Sequence, residues 1–246
     1  MRPRPAIFRL SVLIVPLVLM GNDASTDDAS AQMVSKYLDA SRVQADALRG
    51  VEMEVDINAT LPKLEKHGTL RALRRISRLG QITYKALGFS GDTTVKKEVI
   101  SRYLAAESEA RESGELAISP ANYKFKHKSS TDWNGRRIEV FQITPKKKIV
   151  GLFRGELWLD AETGMPVRES GQFVKTPSVF LKKVEFVRDY ELQDGVAVPK
   201  HIESTVDTRL VGRAQLSIDF STVTKSENSA ENSANYDLAS SSGANQ

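Results

Sequence analysis

The chain contains three histidines, His67, His127 and His201, and a metal site or a general base would have to start from them. They stand far apart, on what read as separate strands, whereas a metal site needs convergent ligands with supporting hydrogen bonds behind them. Isolated strand histidines are ordinarily surface groups or partly packed. No HExxH, GxSxG, P-loop or GxGxxG pattern occurs. The carboxylates do not pair for general acid–base work either: Glu52, Glu54 and Asp56 are the polar half of an alternating stretch, which places them on a solvated face. Cysteine is absent, and this excludes disulfides, thiolate metal sites, cysteine nucleophiles and a lipidated N-terminal cysteine. The reading is a protein that is not an enzyme and uses neither cofactor nor metal.

The basic residues are the more informative group. Arg71, Arg74, Arg75 and Arg78 crowd one stretch, Lys124, Lys126 and Lys128 line one side of another, and Lys146, Lys147 and Lys148 tip a turn. Such patches attract anionic lipid headgroups, by about 1 kcal/mol for each well-placed residue. They also serve as solvated sheet faces whose charges guard edges against stray pairing, and the pattern alone leaves both readings open. Nucleic acid is not expected as a partner, because Tyr123 and Phe125 point away from the neighbouring lysines and offer them no stacking platform.

The elements that would position these residues follow from the hydropathy pattern. Arg2, Arg4 and Arg9 precede the apolar run Leu10 to Met20, and Ala29-Ser30-Ala31 offers a small-x-small cleavage site, so residues 1–31 read as a signal peptide and the protein as periplasmic or secreted. Their removal takes three arginines and three aspartates, which leaves the net charge of +4 unchanged. Gln32 to Arg49 has the 3.6-residue spacing of an amphipathic helix, with Gly50 at its C-terminal cap. Val51, Met53, Val55, Ile57 and Ala59 then alternate with polar residues, as a half-buried strand requires. Strands follow over 68–79 and 80–89. A second helix over 93–111 comes next, capped by Asp92 or Thr93, with Val95, Val99 and Tyr103 on one stripe.

Beyond Pro120 the strands resume, joined by turns at Asn134-Gly135, Asp160 to Gly164, Gln193 to Gly195 and Gly212. In the central hairpin, Phe153, Leu157 and Leu159 alternate with Arg154, Glu156 and Trp158, and Val167 and Phe173 resume the alternation beyond Pro166. Residues 223–246 carry no buried-face pattern and read as a disordered tail. Nine to eleven strands linked by short turns, with two helices, predict a mainly β, α+β fold over residues 32–222. The expected form is a strongly curved antiparallel sheet in an unclosed half-barrel, covered by the amphipathic helices. Its concave side would be lined by Val51, Met53, Val55, Ile57, Leu157, Leu159, Phe180, Val184, Phe186, Leu216, Ile218 and Phe220, and two short helices cannot fill so large an inner surface.

Two blocks carry a family resemblance. Gly155-Glu156-Leu157-Trp158-Leu159-Asp160 with Thr163-Gly164-Met165-Pro166-Val167-Arg168, and Val184 to Tyr190 running on to Asp194-Gly195-Val196-Ala197-Val198-Pro199, resemble the periplasmic lipoprotein-localisation superfamily. This is the LolA/LolB-like fold, which includes regulators of the RseB/MucB type. The resemblance implies a non-enzymatic protein whose concave face holds acyl chains beneath a helical lid. The expected site is then Val55, Ile57, Leu157, Leu159, Val184, Phe186, Leu216, Ile218 and Phe220, with Val95, Val99 and Tyr103 on the lid helix. The expected partner is a lipid or a lipidated protein, at a membrane surface or with an envelope protein. The alternative is an envelope sensor or regulatory protein-binding module on the same fold.

Overall fold

The strict alternation of the first strand decides which side of it is buried. In β1 (Val51–Leu61) the residues at odd positions are buried throughout, and their neighbours are not. The computed structural model describes residues 23–109, 116–176, 179–209 and 212–225, and in it β1 is the third strand of a ten-stranded antiparallel sheet. The others are β2 (Lys66–Ile76), β3 (Ile82–Gly91), β4 (Tyr123–Trp133), β5 (Arg136–Pro145), β6 (Phe153–Asp160), β7 (Pro166–Phe173), β8 (Leu181–Gln193), β9 (Val196–Thr208) and β10 (Arg213–Lys225). Across the sheet they run β3-β2-β1-β10-β9-β8-β7-β6-β5-β4. The last strand therefore returns beside the first, while β3 and β4 are left as open edges of a curved, unclosed half-barrel.

Apart from a single 3-10 turn (Pro62–Leu64), the helices are α1 (Asp23–Leu48) and a second one in three pieces: α2 (Thr93–Val95), a π-helical turn (Lys96–Ile100) and α3 (Ser101–Glu109). Both lie on one side of the sheet. Cross-strand partners share a face, and the series Ile218, Ile202, Arg188, Glu169, Leu157 runs from beneath the second helix to beneath α1. That side is the inner face.

Several expectations are corrected. α1 begins at Asp23, not Gln32, and includes Ala29-Ser30-Ala31, because residues 23–48 contain neither glycine nor proline to stop a helix. Residues 1–22 of the expected signal peptide lie outside the described residues, as do 110 and 111 of the second helix. β10 runs on past Phe220: Val223 stands opposite Met53 and Lys225 opposite Val51, so the first three residues of the expected tail belong to the sheet. β1 offers its whole length for pairing, and Thr222, Val223 and Thr224 are β-branched. Residues 226–246 lie outside the described residues. Val167 is the extra residue of a bulge opposite Trp158 and Leu159, and it packs with Trp133 and Trp158 on the outer face, away from Phe173.

Two glycine positions fix the central hairpin. Gly164 has φ +76, and a Cβ there would stand 2.9 Å from the backbone oxygen of Lys36, so the β6–β7 turn can lie directly against α1. Gly155 and Gly171 face each other across β6 and β7, and a Cβ on Gly155 would stand 1.8 Å from the oxygen of Ser170. That close approach suits a sharp local bend. We expect Gly155→Ala to force the strands apart and to destabilise the fold by about 1–3 kcal/mol, read as a drop of several degrees in a calorimetric melting scan.

Candidate functional site

The nine residues expected to line a hollow all face inward, but eight of them belong to or pack against two packed cores. Val55, Ile57, Leu216 and Ile218 are buried with Val95 and Ile100 of the second helix, and Val99, Tyr103 and Phe220 pack at the margin. Leu157 and Leu159 are buried with Val34 and Tyr37 of α1, and Phe186 packs at that margin. Val184 is buried opposite Val206 on the same side. Phe180, expected on the inner face, precedes β8 and is 56% exposed, because β8 starts at Leu181.

Between the two cores the inner-face side chains are less completely covered. Phe173, Phe186, Val206, Phe220 and Tyr103 are half-buried there. The Phe186 ring stands 4.9 Å from Phe153 and 5.4 Å from Phe173, and the Arg188 guanidinium lies 5.7 Å over it. The Arg188 side chain keeps 39% of its surface accessible while pairing with Glu169 at 3.0 Å. An aromatic floor with a guanidinium at its margin complements an apolar chain that ends in an acidic or polar head.

A chain of buried polar groups lies beside these residues. Arg74 of β2 is 6% exposed and donates to Glu107 of α3 from Nε at 3.2 Å and Nη2 at 2.8 Å. The Tyr84 hydroxyl donates to the other oxygen of Glu107. Burial would raise the pKa of Glu107, but the positive charge of Arg74 and these donors hold it below the usual carboxylate range. Burial raises the phenols of Tyr37, Tyr84, Tyr103 and Tyr190, so each stays a hydroxyl donor. On Arg188, Tyr190 and Glu169 outweigh the effect of burial and raise the pKa, so the side chain stays a cation.

The second helix is seated by a π turn. With i to i+5 bonding, Val95 and Ile100 come to one side and are both fully buried, while Val99 and Tyr103 remain half-buried. The expected stripe of Val95, Val99 and Tyr103 therefore omits Ile100, which anchors the helix more deeply than Val99. Asp92 caps the start, its carboxylate accepting from Thr94 N at 2.7 Å. α1 is tied down by Lys36 Nζ to Ala161 O at 3.0 Å and Gln44 Nε2 to Ala197 O at 2.7 Å.

This order of strands, with both helices inside the curve, permits comparison with known folds. The fold resembles that of LolA superfamily proteins. A LolA superfamily protein from Nitrosomonas europaea is similar at 12% identity, over 82% of this chain and 96% of that one, with a TM-score of 0.42. A DUF1329 family protein from Desulfovibrio piger is similar at 12% identity, over 82% and 95%, with a TM-score of 0.44. MucB in its complex with MucA from Pseudomonas aeruginosa is similar at 14% identity, over 82% and 100%, with a TM-score of 0.27. No protein-family model and no curated protein matches the chain.

Within this fold the remaining candidates separate. The histidines do not converge: His67 is exposed on β2, His127 meets Glu139 at 2.7 Å, and His201 meets Asp219 at 2.7 Å. Of the crowded arginines, Arg71 and Arg75 lie on the outer face and pair with Glu54 and Glu52, but Arg74 belongs to the inner polar chain. Its parity with Leu70, Ala72 and Ile76 was the available signal, and the crowd of like charges masked it. Lys124, Lys126 and Lys128 are exposed along the open edge of β4, and Lys128 pairs with Glu156 at 2.5 Å. Sequence reasoning named neither Glu169 nor Arg188 as a site residue, although Arg188 lies within the block Val184 to Tyr190.

Proposed function

We propose that this chain is an exported periplasmic binding protein that carries an acyl chain, from a lipid or a lipidated protein, against the inner face of its half-barrel. The observation that carries the reading is the half-exposed Phe173–Phe186 floor between the two helix-covered cores, with Arg188 at its margin. Each methylene laid on such a surface contributes about 0.8 kcal/mol. Arg188, already charged and paired, supplies the polar end of the site and can share its remaining N–H groups with a headgroup. The second helix, bound to the sheet through Arg74 and Glu107, acts as the cover over one half. Export is supported by the arginines at positions 2, 4 and 9 and the apolar run that follows them.

Mass spectrometry of an organic extract of the purified protein tests the reading directly, and co-purifying acyl species are the expected result. We expect Phe186→Asp to weaken a fluorescent fatty-acid probe at least tenfold while the circular dichroism spectrum keeps its shape. Absence of any acyl species, together with no displaceable probe binding by the native protein, would remove the carrier reading.

A further inference from the structure

The outer face of the sheet carries a second candidate site. A depression of about 340 Å³ opens there over β6 to β9, with Glu156, Trp158, Arg168, Asp189, His201 and Glu203 around it. It has a simple origin in the register. Glu156, Ser170, Val187 and Glu203 are successive cross-strand partners, so two small side chains form the floor and two glutamates stand at its ends. Trp158, Arg168, Asp189, His201 and Asp219 form the adjoining row.

Both of the chain's two tryptophans are at this place. Trp133 and Trp158 meet edge to face at 5.7 Å, and the Arg168 guanidinium lies 5.2 and 5.7 Å over the two rings. The aromatic wall thus already holds one cation by its ring faces. The Arg168 fork is spent on Asp189, at 2.6 and 3.0 Å, and Lys128 on Glu156. Glu156, Asp189, Glu203 and Asp219 face the two permanent cations Arg168 and Lys128 and one imidazole, so the patch is acidic on a chain whose net charge is +4. The Glu203 side chain is 69% exposed, and its one contact with His201 is 3.4 Å long, so its carboxylate is accessible to an incoming donor.

We infer that this depression docks a basic segment of a partner protein. Its two terminal glutamates are three strand spacings apart, about 14 Å at about 4.8 Å each. An extended segment advances about 3.3–3.4 Å per residue, so of two lysines or arginines four positions apart one would meet the accessible Glu203 and the other would reach Glu156, beside Trp158, in exchange for its Lys128 contact. The site owes nothing to the inner face and stands whether or not an acyl chain binds there.

Tryptophan fluorescence reads this place without a label. The full chain is titrated, at about 20 mM and about 150 mM salt, with a nine-residue peptide bearing lysine at every fourth position and glycine between, with its glutamate counterpart, and with chitotriose. The expected result is a saturable change with the lysine peptide alone, weaker at the higher salt. Glu203→Gln should weaken it at least fivefold, whereas Glu162→Gln, on an exposed turn, and Phe186→Asp should leave it in place. No saturable change, an equal response to the glutamate peptide, a response to chitotriose in place of the lysine peptide, or an unaffected Glu203→Gln variant would each overturn the proposal.

Discussion

Arg74→Met should cost about 3–5 kcal/mol at neutral pH, because it removes one partner of a buried ion pair and leaves the other inside. Arg74 sits on the inner face of β2 with a side-chain exposure of 7%, and Glu107 of α3 has 20%. Without the guanidinium, Glu107 keeps the Tyr84 donor but loses the charge that held it ionised against burial. The sign of the pH effect reverses with it. In the native protein the pKa of Glu107 is lowered on folding, so its contribution is present above the ordinary glutamate value of about 4.3 and is lost as pH falls through the folded value. In the variant, burial raises that pKa above the unfolded one, so stability is lost as pH rises through it. Urea denaturation at pH 5 and pH 7.5 should therefore show a smaller deficit at the lower pH. Arg74→Met combined with Glu107→Gln should recover part of the loss, and amide exchange over residues 93–109 should quicken in the single variant. A loss below about 1 kcal/mol, independent of pH, would show that this pair does not hold the helix to the sheet.

The fold was legible where one strong rule acted alone. The alternation from Val51 to Ala59 fixed both the strand and its buried side, and Asn134 and Gly135, at φ 52 and 74, form the tight turn that their residue types require. The outcome was less complete where two rules competed. The second helix has a heptad-like stripe, but a π turn moves the deep anchor from Val99 to Ile100, and a 3.6-residue period cannot report that. Glu169 and Arg188 became visible only through the register of β7 with β8, which joins two residues that a local pattern reads as solvated. The same limit applies to the outer depression. Its two rows draw on five strands, and no stretch of sequence contains more than two of their members side by side on one face.

The inner residues illustrate how a correct face can still be an incomplete site. Alternation placed Val55, Ile57, Leu157 and Leu159 inside, and each is fully buried. Full burial means that helix side chains already occupy the space beside them, so these residues hold the cover in place. The less covered part of the inner face is set by what the helices fail to reach, around Phe173, Phe186 and Arg188. That remainder depends on where two helices cross a curved sheet, which is a property of the assembled fold.

The turn that links the central hairpin to α1 sets the second large effect. Asp160 is 1% exposed, and its Oδ1 accepts from Glu162 N at 3.1 Å, Thr163 N at 2.8 Å and Thr163 Oγ1 at 2.9 Å, while Arg136 reaches Oδ2 at 3.3 Å. Asp160→Ala strands these donors at a buried site, and we expect a loss of about 3 kcal/mol in urea denaturation. Asp160→Asn keeps one acceptor oxygen and should lose about 1 kcal/mol. Burial opposes the charge of Asp160, but the Thr163 and Arg136 hydrogen bonds outweigh it and lower the pKa. Its stabilising contribution is therefore present above the ordinary aspartate value of about 3.9 and fades as pH falls through the folded value, and the asparagine variant should lack that acid-dependent part. The effect should travel to α1, because the same turn receives Lys36 at Ala161 O and brings Gly164 against the backbone of that helix. Amide exchange in α1 should therefore accelerate in Asp160→Ala more than exchange in α3. Equal protection of both helices in the variant would mean that α1 is held by its apolar face alone and that the turn contributes nothing to the cover.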